Sequence, residues 1–437
     1  MLITATRAAE WCGGRRCGGD PILSGVCIDS RRARCGDLFV ALPGERADGH
    51  DFAAEAMNQG AAAVMVATPV SEVCSQIMVV DCESALARLA SAWRHDFNGK
   101  VAAITGSNGK TTVKEMLAAI VREVTSPFRV FASRGNMNNR LGMSLSVLEI
   151  APQHKFAVLE AGMDAAGELR ELGGICRPHV AVVNNAQRAH LGMFSSVTDI
   201  ARAKGELIES LSADGIAVIA ADDPHLSLWR ELAGKRRTIT FGFTAAADYR
   251  GEWRDGRLYL PSQSQPLQLQ VAGRHNAHNA LAAAAAAEAL GFPTEKAAVG
   301  LESFTGVDGR LQFKKTPGGA MLIDDTYNAN PDSLEAALTV LAECDGQKFA
   351  VLGDMLALGD AAAKEHRAAG EAAAAAGAEL LTVGEEMKAA AGRHFADRES
   401  LLEYLRGRLE KCKQATVLVK GSRGMHMETV ARALESE

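Results

Sequence analysis

Residues 101–112 read VAAITGSNGKTT, an order of side-chain types that can hold a triphosphate. An apolar, β-favouring stretch closes at Thr105 and a tight turn follows through Gly106, Ser107, Asn108 and Gly109. Lys110, Thr111 and Thr112 then open a helical pattern continued by Val113, Met116, Leu117 and Ile120. The N–H groups of the turn and of the helix N-terminus converge where unpaired donors and a partial positive charge favour an anion. Lys110 is placed to neutralise the β and γ phosphates, and the Thr111 hydroxyl to take one position on Mg²⁺. The loop is shorter than the general G-x-x-x-x-G-K-[ST] form, because the residue five before Gly109 is Ile104.

Other candidates stand where apolar runs stop. FAVLE (156–160) ends in Glu160, either a second acidic contact to a nucleotide-bound metal or a cap on the next helix. NNAQRAHLGMF carries His190, a metal ligand or a hydrogen-bonded structural residue. Lys204 lies on a helical pattern, where a solvated lysine is the plain alternative. Asn276 and Asn279 are three apart at the start of an Ala-rich helix (272–290) and share a face. Amides so placed can meet the edge of adenine or cap the helix.

The elements that must position these residues fall into three groups. Residues 1–98 read as a small α/β module, with strands near 38–42, 62–66 and 77–81, a helix near 52–60, and a polar loop bearing Ser30, Arg31 and Arg46. From 99 to 309 strand and helix alternate, which predicts a mostly parallel sheet whose ligands collect beyond the carboxyl ends of its strands. Glycines 306 and 309 and the Pro317-Gly318-Gly319 turn mark a boundary. Residues 310–437 then repeat the α/β alternation, with Asn330 as an N-cap ahead of Pro331.

With 437 residues, 47% of them hydrophobic and 23% charged, the composition is globular. A net charge of −6 leaves no basic footprint for nucleic acid. Nine cysteines without any C-x-x-C pair fit reduced cytosolic thiols, and nothing approaches 18 continuous apolar residues. The expectation is a cytoplasmic monomer with no membrane insertion.

Taken together, DSRRARCGDLFVALPGERADGHDF, TGSNGKTT, GNMNNRLG, VLEAGMDAAGEL, NNAQRAHLGMF, ARAKGEL, GRHNAHNALAAAA, GRLQ, DDTYNANPDS, VLGDMLALG and VLVKGSRGMHMETV resemble the Mur ligase family, nearly end to end. YNAN and GDM point to its D-alanyl-D-alanine-adding branch; the DYAHTPD and DNPR segments of the branch that adds the third amino acid are missing. The resemblance implies three domains, for a UDP-sugar, for ATP and for the incoming amine. It also implies an acyl phosphate made from ATP on UDP-N-acetylmuramoyl-tripeptide and displaced by the amine of D-alanyl-D-alanine.

Residue by residue, the resemblance makes Thr105 to Thr112 the ATP loop, Glu160 and His190 ligands of a second Mg²⁺, and Lys204 a carbamylated lysine. Asn276 and Asn279 become adenine-side residues, Arg310 the phosphate arginine and Asp325 a ribose contact. Ser30, Arg31 and Arg46 resemble the uridine loop, and Asn138 and Asn139 lie where the acceptor substrate is met. Asp354, Met355, His366 and Lys420 are candidates for the dipeptide pocket, while Leu141, Ser144 and Asp164 depart from the branch's usual residues near the acceptor. The alternatives are another carboxylate-amine ligase, such as a folyl-polyglutamate synthetase, which has no need of a uridine-binding module, or another Mur branch, and an ATP-binding regulatory protein.

Overall fold

A computed structural model describes residues 1–44, 47–189, 191–261 and 263–436. Three open sheets organise them. The first contains β1 (Arg15–Gly18), β2 (Gly25–Cys27), β3 (Asp37–Val40), β4 (Ala63–Val66) and β5 (Ser75–Met78) in the order β1-β5-β4-β3-β2, parallel except for β1 against β5.

The second sheet is parallel throughout. It contains β6 (Lys100–Thr105), β7 (Val130–Ala132), β8 (Phe156–Glu160), β9 (Val180–Val183), β10 (Ile216–Ala220), β11 (Arg237–Gly242) and β12 (Tyr249–Arg250). Their order, β12-β11-β10-β9-β6-β8-β7, reverses direction beside β6, so the VAAIT strand delivers its loop to the switch point where such sheets bind ligands. Val101 to Ile104 and Val180 to Val183 are buried, as strands covered by helices on both faces must be.

The third sheet holds β13 (Gln312–Lys315), β14 (Met321–Asp325), β15 (Gln347–Gly353), β16 (Ala378–Val383), β17 (Arg393–Phe395) and β18 (Ala415–Lys420) in the order β13-β14-β18-β15-β16-β17. Only the β13–β14 hairpin is antiparallel.

Five helices bear on the site: α1 (Lys110–Val124), α2 (Arg140–Leu148), α3 (Val197–Glu209), α4 (Arg274–Leu290) and α5 (Pro331–Ala342). Helix α4 packs between α1 and strands β9 to β11. Ala280 and Ala282 to Ala287 are buried, and alanine is what lets a helix be enclosed on nearly every side. Helix α5 starts as its sequence predicts: Asn330 Oδ1 accepts from Ser333 N at 2.9 Å, Ser333 Oγ accepts from Asn330 N at 3.0 Å, and Pro331 is the first helical residue.

One apolar core runs from Met1 to Phe304 and joins the first two sheets. The third sheet has its own clusters, against which Leu191 and Ala272 of the middle unit lean. Among the described residues, no helix is long and apolar enough to cross a membrane.

Candidate active site

Beyond the carboxyl ends of the second and third sheets lies a cavity of about 1210 Å³, roomier than the 300–1,000 Å³ usual for one ligand. Its floor is the Gly106–Gly109 turn, tied to the segment after β9. Ser107 N donates to Asn185 O at 3.1 Å, Asn108 N to Asn185 Oδ1 at 2.9 Å, and Gln187 N to Ser107 Oγ at 2.9 Å. Not every turn N–H therefore faces an anion, as the sequence suggested: those of Ser107 and Asn108 fix the loop, and the Gly109 cap with the first turn of α1 is left to present donors. Gly109 needs its left-handed φ of 80°, and a β-carbon there would meet Asn279 Oδ1 at 2.3 Å.

Strand register brings the reactive side chains level. Glu160 pairs with Ile104 across β8 and β6, so its carboxylate comes to the first turn of α1. Thr111 Oγ1 donates to Glu160 Oε2 at 2.6 Å, Asn138 Nδ2 donates to Glu160 Oε1 at 2.8 Å, and Arg310 Nη2 donates to Thr111 Oγ1 at 2.9 Å. Glu160 is 2% exposed. Lys110 Nζ donates back to the carbonyls of Gly106 at 2.9 Å and Ser107 at 3.3 Å.

Lys204, on α3, is also buried, and burial together with the Lys110 ammonium pushes its pKa well below the usual lysine value while Asp164 pulls the other way. Burial likewise lowers Lys110, opposed by Glu160. His275, in the cavity wall, is pushed down to about 4 by burial and is therefore neutral at pH 7.

Other expected residues stand differently. Asn276 and Asn279 line the cavity, but Asn184 Nδ2 donates to Asn279 Oδ1 at 2.8 Å, Asn279 Nδ2 to Asn276 Oδ1 at 3.3 Å, and Asn276 Nδ2 to Ala272 O at 2.8 Å. Their amides support the loop from behind instead of opening an edge to a base. Asn139 caps α2, accepting from Gly142 N at 2.8 Å. Asp325 lines the cavity and pairs with Lys420 at 2.6 Å, its register partner on β18.

Ser30 donates to Glu55 Oε2 at 2.6 Å and Arg31 pairs with Asp29 at 2.9 Å; neither reaches the cavity, because both belong to a short turn of the first unit. His366 is buried, accepting from Met355 N at 2.9 Å, and Asp354 accepts from Met387 N at 2.8 Å, so both shape the loop after β15 from inside. Arg46 and His190 lie outside the described residues.

Two features had no clear sequence signal. Arg188 crosses to the third unit, donating through Nη2 to Asp332 at 2.8 Å and Glu335 at 3.2 Å, and through Nη1 to Glu365 at 3.1 Å. Beside it, Asn108 and Asn330 exchange amide hydrogen bonds of 2.7 and 3.2 Å. Lys114 could have been noticed as a charge among the apolar positions of α1. It is buried, donates to Ser133 O and lies 2.7 Å from Glu115, while Ser133 Oγ accepts from Glu160 N at 3.1 Å, so Lys114 braces the backbone at the end of β8 that carries Glu160.

Thr111 and Glu160 are hard oxygen donors in contact, the kind of pair Mg²⁺ takes alongside phosphate oxygens and water. Among the described residues no cluster of three or more His, Cys, Asp or Glu completes a protein-only metal cage.

Family models match in three stretches: the Mur ligase middle domain over residues 104–287, the Mur ligase glutamate ligase domain over 309–423, and the Mur ligase family catalytic domain over 22–123. The UDP-N-acetylmuramoyl-tripeptide–D-alanyl-D-alanine ligase of Escherichia coli K12 is 37% identical, covering 100% of this chain and 99% of its own length. That of Bacillus subtilis 168 is 34% identical over 94% and 93%. Among solved structures, MurF from Acinetobacter baumannii superposes with a TM-score of 0.92 at 34% identity, covering 100% of this chain and 99% of that one. MurF ligase from Thermotoga maritima, in complex with ADP, gives 0.83 at 29% identity over 94% and 97%.

Proposed function

Because the chain belongs to the Mur ligase family, we propose that it joins D-alanyl-D-alanine to the terminal carboxylate of UDP-N-acetylmuramoyl-tripeptide, with ATP converted to ADP and phosphate. The product is the UDP-linked pentapeptide used to build peptidoglycan. The observation that carries the reading is the Lys110–Thr111–Glu160–Arg310 cluster, at the switch point of the middle sheet and facing a third unit across one cavity.

The chemistry asks the protein for charge placement more than for covalent participation. The N–H groups of the first turn of α1 hold the triphosphate, and Lys110 swings from its loop carbonyls onto the β and γ oxygens. Arg310, already on Thr111, lies over Tyr327 at 4.0 Å, a stack that holds its guanidinium towards the transferred phosphoryl group. Thr111 and Glu160 would hold Mg²⁺, with His190 completing the second metal position. Bound there, Mg²⁺ neutralises charge developing on the phosphoryl oxygens.

Lys204 has a depressed pKa, and its neutral amine is the form that adds CO₂ and loses a proton to give a carbamate. That converts a buried amine into an anionic oxygen ligand. Asn138, on Glu160, adjoins the tripeptide carboxylate. Asn276 and Asn279 sit on the base side and Asp325 on the ribose side of the nucleotide; Ser30, Arg31 and Arg46 bind the uridine end from the first unit, and Asn139 faces the acceptor through its cap. With UDP-linked and ATP substrates the enzyme works in the cytoplasm, as a monomer of three domains, 1–98, 99–309 and 310–437.

The test is phosphate release from ATP with UDP-N-acetylmuramoyl-tripeptide present. Release that requires D-alanyl-D-alanine supports the reading; release equally fast with single amino acids, or none with the dipeptide, overturns it.

A further inference from the structure

Cations line the cavity, and most already have a protein partner. Lys110 is turned onto the carbonyls of its loop, Arg310 onto Thr111, Lys420 onto Asp325 and Arg140 onto Glu171 at 2.7 Å, while Arg274 lies 4.6 Å from the centre of the Phe243 ring. Arg423 differs. Its side chain lines the cavity yet stays 62% exposed, and its ion partner Glu428 stands at a loose 3.5 Å from Nη1. A guanidinium held on one edge can still present a second edge to a carboxylate in two parallel hydrogen bonds.

Tyr327 sets the farthest that Arg423 can lie from the chemistry. The guanidinium carbons of Arg310 and Arg423 are 4.0 and 5.7 Å from the centre of the same ring, so they are at most roughly 10 Å apart. Arg310 marks the phosphate end through Thr111. An extended chain advances about 3.5 Å per residue, so a dipeptide spans about 7 Å from amine to terminal carboxylate. With a hydrogen bond of about 3 Å to Arg423 added, a dipeptide is long enough to reach the Arg310 end anywhere within that limit.

The wall beside Arg423 is apolar and small in scale. Leu352 and Lys420 are register partners on β15 and β18, so the loops that follow these strands run side by side. Leu356 N donates to Ser422 Oγ at 2.8 Å, and a β-carbon at Gly424 would come within 3.1 Å of Leu356 Cδ1. Leu356 is 48% exposed and lines the cavity with Ala357 and Leu358, a surface suited to a methyl side chain.

We propose that Arg423 binds the terminal carboxylate of the incoming dipeptide with Leu356 against its terminal methyl. This rests on the dipeptide ligation stated above.

Steady-state kinetics on the full chain test it with D-alanyl-D-alanine and D-alanyl-D-alaninamide, which lacks the terminal charge. The wild type should prefer the acid about 100-fold in kcat/KM, as a site built around a charged hydrogen bond does. Arg423→Gln should raise KM for the acid about 30-fold, leave KM for ATP in place, and bring the acid-to-amide ratio near one. Arg423→Lys, which keeps the charge without the fork, should fall between and serves if the Gln variant does not fold. An acid preference undiminished in both variants overturns the assignment alone. A wild type inert towards D-alanyl-D-alanine overturns the ligase reading, and this one with it.

Discussion

Residues 106–112 take their shape from the adjoining strand end and from one neighbouring segment, whereas the seam closing the same cavity joins residues 144, 147, 177 and 222 positions apart. The loop is flanked by Ile104 and Val113, which belong to a core shared with the first unit. The seam is polar: Arg188 with three carboxylates, and Asn108 against Asn330, with little apolar contact between the two units. A polar, partly exposed interface of that kind opens at small cost. The loop therefore supplies chemistry in every state of the molecule, and the seam governs how often the amine-binding unit is in place to use it.

Two substitutions test the loop without touching the seam. Lys110→Ala removes the cation on the transferred phosphoryl group and should lower ADP formation by about 10³-fold or more, since such contacts are each worth several kcal/mol in the transition state. Turnover within tenfold of wild type would mean that the loop is not the triphosphate site. Lys204→Ala should cost about 10²-fold, on the scale of losing a group that supports a metal, and short carboxylic acids should restore part of it. Mass spectrometry of the protein under CO₂ should find an added 44 Da on Lys204 only; full activity in the alanine variant would discard the carbamate.

The same division explains what could be read from the sequence. Strand, glycine turn, lysine, threonine and helix are contiguous in 101–120, and their periodicity alone locates the loop at a strand's carboxyl end. Glu160 was visible as the polar end of an apolar run, and Asn330-Pro331 as a helix start. Arg188 was not. It is one arginine in a polar loop, and only the packing of a separate unit gives it Asp332, Glu335 and Glu365. For Asn276 and Asn279 the shared helix face was legible, but the direction of an amide depends on Asn184, which is 95 residues from Asn279. Ser30 and Arg31 were legible as a polar loop, yet distance from the cavity is a tertiary property.

The seam itself yields to Arg188→Ala. Hydrogen bonds to charged groups are worth about 1.5–3 kcal/mol, and partial exposure places this network at the low end, so kcat/KM for the dipeptide should fall about tenfold. Raising salt should reproduce much of that loss in the wild type and little in the variant. Small-angle scattering with ATP analogue and tripeptide substrate should then find the variant more extended. Equal scattering curves with equal kinetics would show that closure does not depend on Arg188.

The smallest effect belongs to Asn330→Ala, which removes both the cap of α5 and the amide exchange with Asn108. Loss of an N-cap costs about 1 kcal/mol, and the third unit is the part that should register it as a lower Tm. Asn330→Ser separates the two roles, because a serine hydroxyl caps a helix as well as asparagine but is too short to reach Asn108. If the stability returns with serine while the KM for the dipeptide stays raised, the Asn108 contact belongs to closure. If both return together, the seam is carried by Arg188 and its carboxylates, and Asn330 serves only the helix it begins.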